Sequence, residues 1–158
     1  FVARRVAAGE RIIGKKIGMT QIFDDKGEVL GKGDFKFVSI ANPKLAPYGQ
    51  AAIETLTALK LLEAIQTKFV QGENIAQTHQ FVATGNAELG FVALSQVAVP
   101  GKPVVGSYWL VPPSLYGEIR QDAVLLKTGE KNPAATALLA YLKSPAARSV
   151  IQAYGYGP

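Results

Sequence analysis

Two short stretches of this chain have residue types and spacing suited to binding chemistry. They are Ala46-Pro47-Tyr48-Gly49-Gln50 and Gly72-Glu73-Asn74-Ile75-Ala76. Each is a Gly, Pro or polar break that opens into alanine-rich, helix-periodic sequence. The first four backbone N–H groups of a helix have no partner inside it, and the helix dipole is positive there. Two such ends aimed at one cleft can hold a small anion without lysine or arginine. Other chemistries find little support. The chain has no cysteine, which removes disulfides, thiolate nucleophiles and Cys-ligated metals. His79 is its one histidine, so a multi-His metal site is excluded, and no Gly-x-Ser-x-Gly surrounds any serine. Glu54, Glu63 and Glu73 are scattered along helical sequence and do not form a catalytic pair.

The elements that must position these stretches follow from periodicity. Residues 1–11 are basic and small-residue rich, and begin a helix that Gly9 stops. Residues 12–23 read as short strands, and Asp24-Asp25-Lys26-Gly27 as a turn. Val29 to Gly33 and Asp34 to Ile40 read as extended, ending in a buried strand. Asn42 to Gly49 reads as a loop. Ile53, Leu56, Leu59 and Leu62 then recur every three residues, the mark of an amphipathic helix. Thr67–Val70 is a short strand. Ile75–Ala83 is a second helix, with Asn74 as N-cap and Gly85 as a left-handed C-cap. Glu88–Ala93, Ser107–Val111 and Ala123–Leu126 read as strands, the first and last of them buried. Asn132-Pro133 and Ser144-Pro145 each open a helix with a capping side chain followed by proline. Strands alternate with helices, which is the α/β pattern.

Composition bounds the function. Of the 158 residues 48% are hydrophobic and 18% charged, as in water-soluble globular domains. The net charge of +5 is uneven. Residues 1–20 carry Arg4, Arg5, Arg11, Lys15 and Lys16 against Glu10 alone, and the remainder is nearly balanced. A basic tip on a neutral body lacks the basic face of a nucleic-acid binder.

The runs IANPKLAPYGQAAIETLTAL and ENIAQTHQFVATGNAELGFVALSQV, with the tail LLAYLKSPAARSVIQAYGY, resemble the periplasmic molybdate-binding proteins of ABC transporters. The resemblance covers about residues 26–158. It implies a type II periplasmic binding protein fold, in which two α/β lobes close on a tetrahedral oxyanion, molybdate or tungstate. It implies that backbone N–H groups and hydroxyls hold the dianion, so the only metal is the molybdate itself and no cofactor is needed. The positions it points to are Tyr48, in the Pro-Tyr-Gly stretch, and Ile75, the residue after Glu-Asn. Ala93 stands where some relatives carry a further tyrosine. His79, one turn beyond Ile75, is expected to be structural.

The resemblance also sets expectations for organisation. Residues 26–96 would form the second lobe with its helix starts. Residues 97–158 would form the return connection and the C-terminal part of the first lobe, most of which the chain would lack. Residues 1–25 are atypical for the family, and residues 12–25 instead resemble the start of a large-subunit ribosomal protein. The expected role is oxyanion capture in the periplasm for an ABC importer permease, without catalysis. The alternatives are a non-binding structural fragment and an RNA-binding segment at the basic tip. The apolar residues between Ala123 and Tyr156 are expected to need a partner, through self-association or a separate polypeptide.

Overall fold

The computed structural model describes residues 2–4, 28–32, 34–97, 99–103 and 106–156. Its centre is a five-stranded sheet. The strands are β1 (Val2–Arg4), β2 (Val38–Ala41), β3 (Phe69–Gly72), β4 (Leu89–Phe91) and β5 (Ser107–Trp109), in the order β3-β2-β4-β1-β5. β2 runs parallel to β3 and β4, and β1 runs antiparallel to β4 and β5. Seven α-helices accompany the sheet among the described residues: α1 (Glu28–Lys32), α2 (Pro47–Ala58), α3 (Leu62–Ile65), α4 (Ile75–Thr84), α5 (Leu94–Val97), α6 (Pro133–Leu142) and α7 (Pro145–Ala153). None of them is long and apolar enough to cross a membrane. The architecture is α/β, as the alternating pattern requires.

Strand alternation sorts the two faces of the sheet. Val38, Ile40, Leu89 and Phe91 pack with Ala52 and Leu56 of α2 in one buried cluster, joined by Trp109 and Val111. The alternate residues face α4. The Ser39 hydroxyl donates to the Thr78 carbonyl at 3.0 Å, and a Cβ on Gly90 would collide with Ser39 and Val82. So α2 and α4 cover opposite faces. Small residues let α4 sit close: a Cβ on Gly72 would lie 2.7 Å from Thr78 Oγ1. Beyond α2, Lys60 takes a left-handed φ of 58°, and this lets the Leu61 N–H reach the Leu56 carbonyl at 2.8 Å.

Several readings from sequence change. Val29 to Lys32 is not extended: Glu28–Lys32 is a helical turn, held by burial of Leu30 against the main cluster, and Gly33 lies outside the described residues. Residues 2–4 form strand β1 rather than part of a helix, because β4 and β5 offer them partners on both sides, and the rest of residues 1–11 lies outside the described residues. Pro47–Gly49 is the first turn of α2 and not loop. Ala123–Leu126 is neither strand nor buried; Val124 is 80% exposed and Leu126 66%. An apolar run acquires a ladder only where neighbouring strands offer free edges, and the described sheet ends at β3 and β5. The expected elements at residues 12–23 and the turn at 24–27 lie outside the described residues.

Candidate functional site

The carboxyl ends of β2 and β3 lie side by side, with Ala41 in register with Gly72. The Asn42 N–H donates to the Gly72 carbonyl at 2.7 Å and ties the two exits together. Each strand then leads into a helix start. Tyr48 is in the first turn of α2, and Ile75 is the first residue of α4. The two stretches singled out in the sequence thus share one edge of the sheet. In open α/β sheets this edge is where ligands sit.

The two starts differ in their unmet hydrogen bonds. At α4, Asn74 caps with its side chain, its Oδ1 accepting from the Gln77 N–H at 2.9 Å, and its carbonyl accepts the Thr78 N–H at 3.1 Å. No described acceptor takes the Ile75 or Ala76 N–H. At α2, Ala46 gives no side-chain cap and Pro47 has no N–H to give. Gly49 and Gln50 turn their N–H groups to the Ala46 carbonyl, at 2.9 and 3.3 Å. The Tyr48 N–H has no described acceptor. Donors without acceptors at two neighbouring helix starts are what an anion can satisfy.

Gln96 fixes the second start. Its side-chain amide donates to the Ile75 carbonyl at 3.2 Å and accepts from the Ala93 N–H at 3.1 Å. It therefore joins the first residue of α4 to the end of β4. No local signal in the sequence marks Gln96, because its partners lie on separate elements.

Beside Tyr48 lies a cavity of about 400 Å³. Tyr48, Thr55, Ser95, Tyr116, Glu118, Tyr154 and Tyr156 are among its polar lining, and no lysine or arginine contributes among the described residues. Ile75 does not line it. Tyr48 is pushed up from 10.0 to about 12, first by burial and then by the neighbouring Tyr156 and Tyr116. Its phenol therefore stays protonated, and a donor, at all physiological pH. His79 is half-buried on α4 and outside this cavity. Among the described residues no group of His, Cys, Asp and Glu is arranged to hold a metal ion.

Glu54 has a role that the sequence did not reveal. Gly117 donates its N–H to Oε2 at 2.7 Å, and the Gln50 side chain donates to Oε1 at 3.0 Å. Gly117 first and Gln50 second hold the carboxyl below its usual range. A depressed carboxyl stabilises the fold above its ordinary value of 4.5 and loses that contribution as pH falls through the lower, folded value. The segment around Gly117 is therefore expected to loosen only in acid. Amide exchange at Gly117 should be slow at pH 6 and fast in Glu54→Ala at the same pH. Equal protection in the two proteins would show that the carboxylate does not hold this segment.

The family model for bacterial extracellular solute-binding proteins matches residues 16–157. The chain belongs to that family. A molybdate-binding protein of Azotobacter vinelandii is 63% identical over 134 residues, covering 85% of this chain and 53% of that protein. One from Rhodobacter capsulatus is 54% identical over 133 residues, covering 84% and 51%. Among solved structures, an Azotobacter vinelandii periplasmic molybdate-binding protein superposes with a TM-score of 0.83 at 32% identity, covering 99% of this chain and 64% of that one. The chain spans about half the length of the curated relatives it matches. The solute-binding fold is thereby shown. The likeness of residues 12–25 to a ribosomal protein is not borne out, since the solute-binding family model already begins at residue 16.

Proposed function

We propose that this chain serves a periplasmic solute-binding protein that captures molybdate, or its analogue tungstate, and hands it to an ABC importer permease. The observation that carries this reading is the 63% identity to a protein named for molybdate binding, over a span that includes both helix starts. In this reading the backbone N–H of Ile75 and the hydroxyl of Tyr48 are donors to the oxyanion, with no countercharge. Dipoles at fixed positions favour a single oxygen spacing, so molybdate is preferred to the smaller sulfate. The chain binds and releases; it performs no reaction and needs no cofactor. Residues 26–96 supply the second lobe with its helix starts, residues 97–158 the return connection and the C-terminal part of the first lobe, and residues 1–25 an atypical basic N-terminal segment.

The test is isothermal titration of the purified chain with molybdate, with sulfate and phosphate as controls. Saturable binding of molybdate well above sulfate is the expected result. Equal heats for all three anions, or none, would reject the reading. In a protein that binds, Tyr48→Phe removes one hydrogen bond to a charged group, about 1.5–3 kcal/mol, which corresponds to a roughly tenfold to hundredfold loss of affinity. An unchanged dissociation constant would take the Tyr48 hydroxyl out of the site.

Exposed apolar side chains support a further partner. Val124, Leu126, Leu138, Tyr141 and Val150 all lie open in the C-terminal third. This many exposed apolar groups favours association, with a second copy or with a polypeptide carrying a complementary lobe. Light scattering of the chain alone at micromolar concentration is expected to report a dimer or larger. A cooperative monomer would show that this surface tolerates water.

A further inference from the structure

The short helix α5 sits between the candidate site and the end of the described chain, and consecutive residues on it hold the two. On one side Ser95 Oγ and the Tyr156 hydroxyl share a hydrogen bond at 3.1 Å. Next to it Gly155 is left-handed, with φ 84°, and a Cβ there would lie 2.8 Å from Leu94 Cγ. Glycine is therefore required twice at this point, for its dihedral and for close seating on α5. On the other side Gln96 donates from Nε2 to the Ile75 carbonyl at 3.2 Å and accepts at Oε1 from the Ala93 N–H at 3.1 Å. Ala93 is buried just past the end of β4. A side-chain amide bonded at both its nitrogen and its oxygen is fixed in orientation.

At the start of α4, Asn74 and Gln77 bond to their own neighbours: Asn74 Oδ1 accepts from the Gln77 N–H at 2.9 Å, and Gln77 Oε1 from the Glu73 N–H at 2.7 Å. The Gln96 bond comes from outside and lands on the peptide group between Ile75 and Ala76. The carbonyl of that group is Ile75's and its N–H is Ala76's, so holding one end of the plane aims the other. It also fixes ψ of Ile75, and hence the angle between the Ile75 and Ala76 N–H groups, neither of which has a described acceptor. A peptide that accepts a bond at its oxygen is polarised into a stronger donor at its nitrogen. We propose that Gln96 is a positioning residue for the anion: it acts through the Ile75 peptide rather than on the ligand, and so sets the affinity and the selectivity of the site. This rests on the function proposed above, with the first residue of α4 as a donor.

Gln96→Met keeps the length of the side chain and removes both hydrogen bonds. It is expected to bind molybdate about threefold to tenfold more weakly, the worth of one ordinary hydrogen bond. The ratio of molybdate to sulfate affinity is expected to narrow as well, since donors free to turn fit either oxygen spacing. A residue that only supports the fold would lower the melting temperature and leave that ratio alone. Molybdate binding equal to that of the parent chain, or an unchanged ratio, would overturn the proposal. Gln96→Glu isolates the bond to Ile75, and serves also if the methionine variant does not fold. Its carboxyl still accepts from the Ala93 N–H, but once ionised it has no proton for the Ile75 carbonyl. Between about pH 8 and pH 5 the protonated fraction grows and the donor returns, helped by the carbonyl opposite, which favours the neutral acid. Affinity relative to the parent chain at each pH is expected to recover on acidification in Gln96→Glu and to stay level in Gln96→Met. Level profiles in both would overturn the role of this bond. A parent chain that binds no molybdate defeats the function proposed above and this inference with it, whereas a parent that binds beside an indifferent Gln96→Met defeats this inference alone.

Discussion

Gly49→Ala is expected to destabilise the fold by about 3 kcal/mol, the upper part of the range for overpacking a well-filled site. The position lies in the first turn of α2, where the helix rests on the end of β2. A Cβ there would fall on the Ala41 carbonyl oxygen, 2.7 Å from the Ala41 carbonyl carbon and 2.8 Å from that of Asn42. These are backbone atoms of β2 and its exit, so they cannot turn aside as a side chain would. The helix start must lift, taking Tyr48 with it. For a chain of this size the loss corresponds to a melting temperature lower by roughly 6–12 °C. Gly31→Ala is the matched control: nothing lies within 4 Å of its would-be Cβ, and a helical Ala for Gly gains up to about 1 kcal/mol. If the two variants melt together, the first turn of α2 can slide off β2, and its close seating is not what fixes Tyr48.

Leu56→Ala carries the second large effect. Leu56 is 0% exposed and joins α2 to Val38, Ile40, Leu89 and Phe91. Removing three buried carbons from a packed cluster costs about 2–5 kcal/mol. Set against a total stability of about 5–15 kcal/mol, that is enough to unfold a marginal domain. Leu138→Ala is the contrast, because Leu138 is 58% exposed on α6 and its truncation should change stability by less than about 0.5 kcal/mol. Denaturant titrations of both variants test the assignment of the core. Similar midpoints would mean that α6 is buried in the protein as it exists in solution.

The parts of the fold legible in the sequence were those written in local chemistry. Asn74, Asn132 and Ser144 accept from N–H groups two or three residues on, and Gly85 ends α4 at φ 79°. A capping side chain acts on its own neighbours, so its signal survives without knowledge of the fold. β2, β3 and β4 were legible to within two residues because their apolar runs are bounded by turns. What failed depended on distant partners. β1 is a strand because residues near 90 and 108 flank it. The run at 123–126 looked buried because it is apolar, yet burial belongs to the surroundings. The site divides in the same way. The two helix starts could be read from their breaks, and the positions of Tyr48 and Ile75 came with the family resemblance. Gln96, Glu54 and Tyr156 could not be read, since each acts across tens of residues on a backbone or a hydroxyl that the chain brings to it.

Among the described residues the cavity beside Tyr48 has no lysine or arginine in its wall, and under the function proposed above this would bear on how quickly and in what salt an anion is caught. The field of a helix end fades within its first turn, whereas that of a full charge reaches out to the Debye length, about 8 Å at physiological ionic strength. On that reading no cation of the described wall, which includes Glu118, would gather an anion from a distance, and encounter would proceed no faster than the unsteered rate of diffusion. Salt would then have no basic funnel to blunt among the described residues of this wall. Discrimination among anions must then reside in how long each stays, not in how often each arrives.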